Sequence, residues 1–416
     1  MAKYFFACLS FLSVQAVAQQ YYITADRVFD GESIHENWAV VVQGDKIIAV
    51  GPKEKITAPI NSVKINYPNS TLLPGLIEGH SHLLLHPYNE TPWDDQVMKE
   101  SDAYRMARAT VHAKNTLLAG FTTVRDLGSE GAGYADVELK KAINDGIIIG
   151  PRMMVAGKAI VATGSYGPKG YDTDVIVMKG AEEADGDNLI KVTRDQIGHG
   201  ADVVKVYADY RWGKYNEAMP TFSIDELKLI VATAKSSGRW VIAHATTEEG
   251  MRRATLAGVE TIEHGDEGTP EIFKLMKEKN VALCPTLAAG DATSQYKGWK
   301  KGIDPEPEKI KKKKESFKAA LQSGVTILAG GDVGVFAHGD NVRELELMSE
   351  YGMQTLEVLR STTSINAKAF HLDNQIGFVK EGLKADLIIV SGDPSKNISD
   401  LRKIKLVMKD GVIIRQ

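Results

Sequence analysis

Cysteine is scarce in this sequence: two in 416 residues, Cys8 and Cys284. A disulfide framework is thereby excluded, and stability beyond the apolar core has to come from elsewhere, a bound metal among the candidates. A run able to span a bilayer is missing as well. The apolar stretch Tyr4 to Val14 is too short, and no stop-transfer flank follows it. Lys3 before it and Ala16-Val17-Ala18 after it give the order of a secretory signal at residues 1–18, cleaved after Ala18. The mature chain is therefore expected to be exported, periplasmic or secreted, and to keep only Cys284. Charge of one sign is not in surplus either. A formal net charge of −4 predicts no affinity for nucleic acid or an anionic membrane.

What is present is an ordinary globular composition, 43% hydrophobic and 25% charged, with ample length for a large core. Residues 21 to 70 read as short strands separated by turns at Asp30-Gly31, Gly44-Asp45 and Gly51-Pro52. Similar strands recur at Ala385–Val390, Ile404–Met408 and Val412–Ile414. The two ends, 19–72 and 376–416, are expected to build one small β-sandwich. Between them, 73–375 alternates strands and helices. Strand-like runs fall at Leu72–His82, Phe121–Asp126, Arg152–Val161, Asp202–Tyr207, Trp240–Ala245, Val259–His264, Val281–Thr286 and Val325–Asp332. Helical segments lie between, with Gly120, Gly200, Gly238, Gly258 and Gly324 near their ends, where a left-handed cap is needed. Eight such units over roughly 300 residues predict an α/β fold, a (β/α)8 TIM barrel, whose typical size is about 250.

The first of these strands ends Leu73-Pro-Gly-Leu-Ile-Glu-Gly-His80-Ser-His82. Alternation on a strand points His80 and His82 the same way, and two neutral imidazoles on one face can grip one metal ion. Other strand ends in a barrel of this kind carry its chemistry. The fourth offers Lys205 among valines, the fifth His244, the sixth His264, and the eighth Asp332 after two glycines. Each alone has a plain structural explanation: a satisfied core histidine, a buried ion-pair partner, a helix cap. Together, in this order, they form a ligand set. An ammonium has no lone pair for a metal, but burial among valines favours the free amine. Reacted with carbon dioxide, that amine becomes an anionic carbamate able to bridge two cations. Four imidazoles, one carbamate and one carboxylate suit two divalent ions such as zinc.

This order resembles the metal-dependent amidohydrolase superfamily, and more closely its imidazolonepropionase-like branch with the Xaa-Pro dipeptidase-type enzymes. The motifs that carry the resemblance are the His80-Ser-His82 stretch, Thr122-Thr-Val-Arg-Asp126, Val204-Lys205-Val, Ile242-Ala-His244, Ile262-Glu-His264-Gly and Gly330-Gly-Asp332. Gly377 to Asp393, through Lys384-Ala-Asp386, also fits. The resemblance implies that His80, His82 and Asp332 hold the more buried metal and that His244 and His264 hold the second. It further implies that carbamylated Lys205 and a hydroxide bridge the pair, with Asp332 as proton shuttle. Related sequences carry Thr-Gly-Gly-His-Gly after the third strand; here the chain reads Thr163-Gly-Ser-Tyr166-Gly. Tyr166 is therefore assigned the role of polarising the substrate carbonyl.

For the substrate, Tyr207 shares a face with Lys205, and Tyr210 and Arg211 follow at the rim, where a guanidinium can hold a carboxylate. His338, just past the eighth strand, is read as pocket lining or as a helix cap. His86 and Trp93 are read as a pocket wall. The basic run Lys309–Lys314 is read as a solvated helix face. The expected reaction is hydrolysis of an amide bond in a dipeptide, Xaa-Pro-like, or in an N-acyl amino acid. The alternatives are a cyclic amide (a lactam or imidazolone), and a heterocycle deaminase, against which Lys205 counts. A second copy of the chain remains open as a partner.

Overall fold

The computed structural model describes residues 19–172 and 174–416. The leader expected at 1–18 lies outside the described residues. The centre of the molecule holds two parallel sheets. One is Leu76–Ser81, Phe121–Asp126 and Arg152–Val155; the other runs Glu182–Glu183, Ile160–Val161, Val204–Tyr207, Val241–Ala245, Thr261–His264 and Ala282–Cys284. Helices alternate with these strands, among them Asp102–Leu118, Ile224–Lys235, Glu248–Ala257, Pro270–Glu278 and Glu308–Ser323. Their ends follow local chemistry. Ser223 and Glu226 form a reciprocal capping box, and Thr269 caps a helix whose first residue is Pro270. Gly258 and Gly324 end their helices at φ +88 and +69, conformations that cost other residues dearly.

Two expected strands come out differently. The third run breaks at Gly157 (φ +67) into Arg152–Val155 and Ile160–Val161, which sit in different sheets. The eighth is not a regular strand. Residues 326–333 link the two sheets through isolated bridges, Ile327 with Leu283 and Val333 with Ser81. Leu283 N–H donates to the Thr326 carbonyl (2.9 Å) on one side, and Gly79 N–H to Ala329 (2.9 Å) and His82 N–H to Val333 (2.8 Å) on the other. The cause is crowding. A Cβ on Gly330 would stand 2.6 Å from both Cys284 Sγ and the His80 nitrogen, and Asp332 turns out of the pleat at φ +61.

Both ends of the chain enter one eight-stranded sheet. Its order is Val412–Arg415, Ile404–Lys409, Leu387–Ser391, Val63–Pro74, Gln20–Phe29, Trp38–Gln43 and Lys46–Pro52, with Ile34–Glu36 also paired to Gln20–Phe29. Only Gln20–Phe29 with Val63–Pro74 is a parallel pair. Hydrogen bonds thus unite all these strands in a single sheet, with a core of its own that includes Ile23, Val40, Ile47, Leu72, Leu387 and Leu406. The Val63–Pro74 strand passes through Gly75 straight into Leu76–Ser81. A side chain at Gly75 would collide with Thr122, whose Oγ1 lies 2.1 Å from the Cβ position. This junction delivers His80 and His82 to the strand ends.

Candidate active site

His80 and His82 are both buried and are oriented by their Nδ1 atoms. His80 Nδ1 lies 2.8 Å from Glu263 Oε2; His82 Nδ1 lies 2.9 Å from the Gly128 carbonyl, which can only accept. Each ring therefore turns Nε2 toward Asp332, whose Oδ1 is 3.6 Å from His80 and 3.4 Å from His82. Glu263 is held from its other side by Arg125 Nη2 at 2.8 Å, and Arg125 also donates to the Gly79 carbonyl. Burial would raise the Glu263 carboxyl, but Arg125 and His80 outweigh it and hold it well below the usual carboxylate range.

On the next two strands, His244 stacks on Tyr207 with centroids 4.5 Å apart and meets His264 edge-on at 4.4 Å. His264 sits at φ +79, a strained turn, and its Nδ1 bonds Thr286 Oγ1 at 2.7 Å. The His80 and His264 rings are 5.2 Å apart, so the four imidazoles form one group. Lys205 is buried on Val204–Tyr207, and its ammonium acts on His80, His244 and His264 alike. No carboxylate lies within 4 Å of Lys205 among the described residues. Burial pushes its pKa down.

The titration of His80, His244 and Asp332 suits cation binding, whereas His82 has to give up a proton to ligate a metal. Burial and Lys205 push His80 down to about 4 and His244 to about 3, so both are neutral imidazoles at pH 7. Burial would raise Asp332, but His80 and His82 bring it down to about 2. Burial would lower His82, but Asp332 and Glu130 lift it to about 9. The free atoms of His80, His82 and Asp332 lie within 4.8 Å of one another, a spacing one ion can close. A second cluster of His80, Glu263 and Cys284 is as compact, but Arg125 and Thr261 already occupy Glu263, and burial pushes the Cys284 thiol up. The donor set on the cavity side fits divalent metal.

Above these residues opens a cavity of about 1040 Å³, walled by Tyr88, Trp93, Glu130, Tyr166, Tyr207 and Tyr210, with Arg211 at its exposed edge. Arg211 reaches only the Tyr210 hydroxyl, at 3.4 Å, and has no carboxylate partner among the described residues. Tyr166 gives its hydroxyl proton to Glu130 Oε2 at 2.7 Å, so that proton is not turned to the cavity as the carbonyl-polarising role requires. His338 does not reach the cavity. Its Nε2 bonds the Leu85 carbonyl at 3.0 Å and its ring stacks on His112, behind the wall. His86 likewise turns away, to Glu100 at 2.9 Å. The basic run is not wholly solvated: Lys313 is buried, donates to the His264 carbonyl at 2.6 Å and pairs with Asp266, while Lys309 and Lys312 line the cavity mouth. A second cavity, about 790 Å³, opens at the opposite ends of the strands around Glu260, Ala282 and Val325.

Sequence reasoning missed Glu130, Glu263 and Arg125. Glu130 stands in Gly128-Ser-Glu130-Gly131, just past the second strand, and only that position could have marked it. Arg125 and Glu263 lie one residue from strand ends inside motifs already singled out.

Comparison with known proteins agrees with this site. Residues 71–414 match the amidohydrolase family, and the chain belongs to it. It is 30% identical to an ochratoxinase of Aspergillus niger over 91% of this chain and 82% of that protein. The crystal structure of a Xaa-Pro dipeptidase with bound methionine in its active site superposes with a TM-score of 0.85 at 30% identity, over 96% of this chain and all (100%) of the other. A prolidase complexed with N-methylphosphonate-L-proline gives 0.83 at 26% identity, over 96% and 100%. The chain is a hydrolase acting on amide or peptide bonds, with the α/β fold of TIM-barrel amidohydrolases.

Proposed function

We propose that this protein hydrolyses the amide bond of a dipeptide, Xaa-Pro-like, or of an N-acyl amino acid, with two divalent metal ions, zinc the first candidate. In this reading residues 326–333 serve as the eighth element of a closed (β/α)8 barrel, and the terminal sheet folds over itself as a sandwich. The observation that carries the proposal is the meeting of His80, His82 and Asp332 atoms within 4.8 Å beside His244, His264 and a buried Lys205. His80, His82 and Asp332 would hold one ion, His244 and His264 the other, and Lys205, as a carbamate, would lie between them. Such ions would supply Lewis acidity and bring the pKa of water down to about 7, so attack is feasible at neutral pH. Asp332, held as a carboxylate, accepts the proton of the attacking water and returns it to the leaving nitrogen. Arg211 holds the carboxylate of the departing amino acid. Water and amide are consumed; a carboxylate and an amine leave.

The test is a library of dipeptides and N-acyl amino acids assayed for released amino acid with zinc-loaded protein, alongside elemental analysis. Release from either class with two ions per chain supports the proposal. One ion per chain with ammonia released from a heterocycle, or turnover of lactams alone, would overturn it. Export is proposed from residues 1–18; a mature amino terminus other than Gln19 in the exported fraction would remove that assignment.

A further inference from the structure

Glu130 is buried, at 3% exposure, yet its carboxylate lines the substrate cavity. Its backbone is held at φ +48, a conformation a glutamate adopts at a cost. One oxygen, Oε2, is satisfied by Tyr166 (2.7 Å) and by Trp93 Nε1 (2.9 Å). The other, Oε1, has only the Tyr207 hydroxyl at 3.5 Å. No lysine or arginine side chain pairs with it among the described residues. Arg105, the nearest guanidinium in its hydrogen-bond network, donates instead to the Glu130 main-chain carbonyl at 2.7 Å. His82, lifted to about 9 partly by Glu130 itself, is a cationic neighbour with Nδ1 4.0 Å away, but its Nδ1 proton goes to the Gly128 carbonyl, and a His82 that ligates a metal is neutral and leaves Glu130 without that counter-charge. A buried carboxylate without a counter-charge is costly unless a cation arrives.

We infer that Glu130 receives the α-ammonium group of the substrate, so that the preferred substrate is a dipeptide with a free amino terminus rather than an N-acyl amino acid. The inference rests on the amide hydrolysis proposed above and narrows it. The placement suits a dipeptide. In such a molecule the ammonium is one carbon from the carbonyl that is attacked, and Glu130 stands beside His82, one of the residues that face the reacting centre. The carboxylate belongs to the leaving amino acid, farther out, and Arg211 stands at the cavity edge. Between them run Tyr166 and Tyr210, their rings 4.8 Å apart, with the Tyr210 hydroxyl next to Arg211. The wall is thus negative at its inner end, positive at its outer end and aromatic between, complementary to a zwitterion. An acyl chain without the ammonium would leave Oε1 buried and unpaired.

The experiment uses the metal-loaded wild type and the best dipeptide of the library, with two counterparts in which hydroxyl or hydrogen replaces the α-ammonium. The ammonium-to-hydrogen change is expected to lower kcat/KM by at least about 30-fold, mainly through KM, the usual size for removing one partner of a buried charge pair. Equal values across the series would overturn the inference without reference to any variant. Glu130→Gln keeps an acceptor for Tyr166 and Trp93 but loses the charge. The ratio between ammonium and hydrogen substrates should shrink about 10-fold or more in it, and recover in part in Glu130→Asp. A ratio unchanged in both variants would place the discrimination elsewhere and overturn the inference. Absence of turnover for every dipeptide and every N-acyl amino acid would instead strike the proposed function itself.

Discussion

His80 Nδ1 lies 2.8 Å from Glu263 Oε2, a carboxylate 183 residues further along the chain. The opposite oxygen of Glu263 is bonded to Arg125, itself only 1% exposed and packed with its guanidinium carbon 4.3 Å from the Phe370 ring centre. Arg125, Glu263 and His80 thus form a buried line that ends on the imidazole facing Asp332. Such partners fix the tautomer and angle of a ligating histidine.

Glu263→Gln is accordingly expected to weaken metal binding by about 10-fold to 100-fold, the common effect of losing such a partner. Chelator competition measures this on the folded protein. An unchanged affinity would show that His80 keeps its ligating angle without the Glu263 carboxylate.

Lys205→Ala is expected to lower kcat by more than about 100-fold, since loss of a ligand exceeds loss of its outer partner. Circular dichroism should still report the wild-type fold. Short carboxylic acids added to the variant should restore part of the rate by filling the space of the carbamate. Full turnover without them would remove Lys205 from the site.

Arg211→Ala is expected to raise KM about 10-fold to 100-fold for substrates with a free carboxylate, the cost of one charge-assisted hydrogen bond. Amidated counterparts should show a much smaller change. Equal effects on both would mean that Arg211 shapes the rim without reading the charge.

The stacked pair His112 and His338, 4.4 Å apart, sets a pH dependence of stability. Burial, opposed by the Leu83 carbonyl contact, lowers His112 from 6.5 to about 4. As pH falls through 6.5 the unfolded chain takes up a proton that the folded protein refuses, so stability is lost between pH 6.5 and 4, by up to roughly 3 kcal/mol from His112. In His112→Phe the drop in Tm from pH 7 to pH 5 should be smaller than in wild type, even though the lost Leu83 contact lowers Tm at pH 7. An identical drop would assign the acid sensitivity to other groups.

The residues that meet at the strand ends were legible because strands alternate. His80 and His82 read as one face directly from their spacing, and Lys205 and Tyr207 by the same rule. The Val204–Tyr207 strand runs parallel to Val241–Ala245, with Lys205 opposite Ile242 and Tyr207 opposite His244. What the pattern could not show lies where the pleat fails or where partners are distant. His264 and Asp332 were read from their places at strand ends, but not the positive φ by which they reach the site, nor the squeezing of the segment before Asp332 out of regular pairing at Gly330. Glu130 comes from a turn with no periodicity. Arg125 finds Glu263 138 residues away. His338 looked like lining because it follows the eighth segment closely, but it lies in the turn Ala337–Asp340, where its ring stacks on His112 instead.

The strand Val63–Pro74 accepts Gln20–Phe29 on one edge and Leu387–Ser391 on the other. A ribosome that has made three hundred residues has therefore released a half-built sheet with an open apolar flank, which only the closing stretch of translation can cover. Shortening the carboxyl end would spare every residue of the catalytic mouth and still leave an aggregation-prone edge.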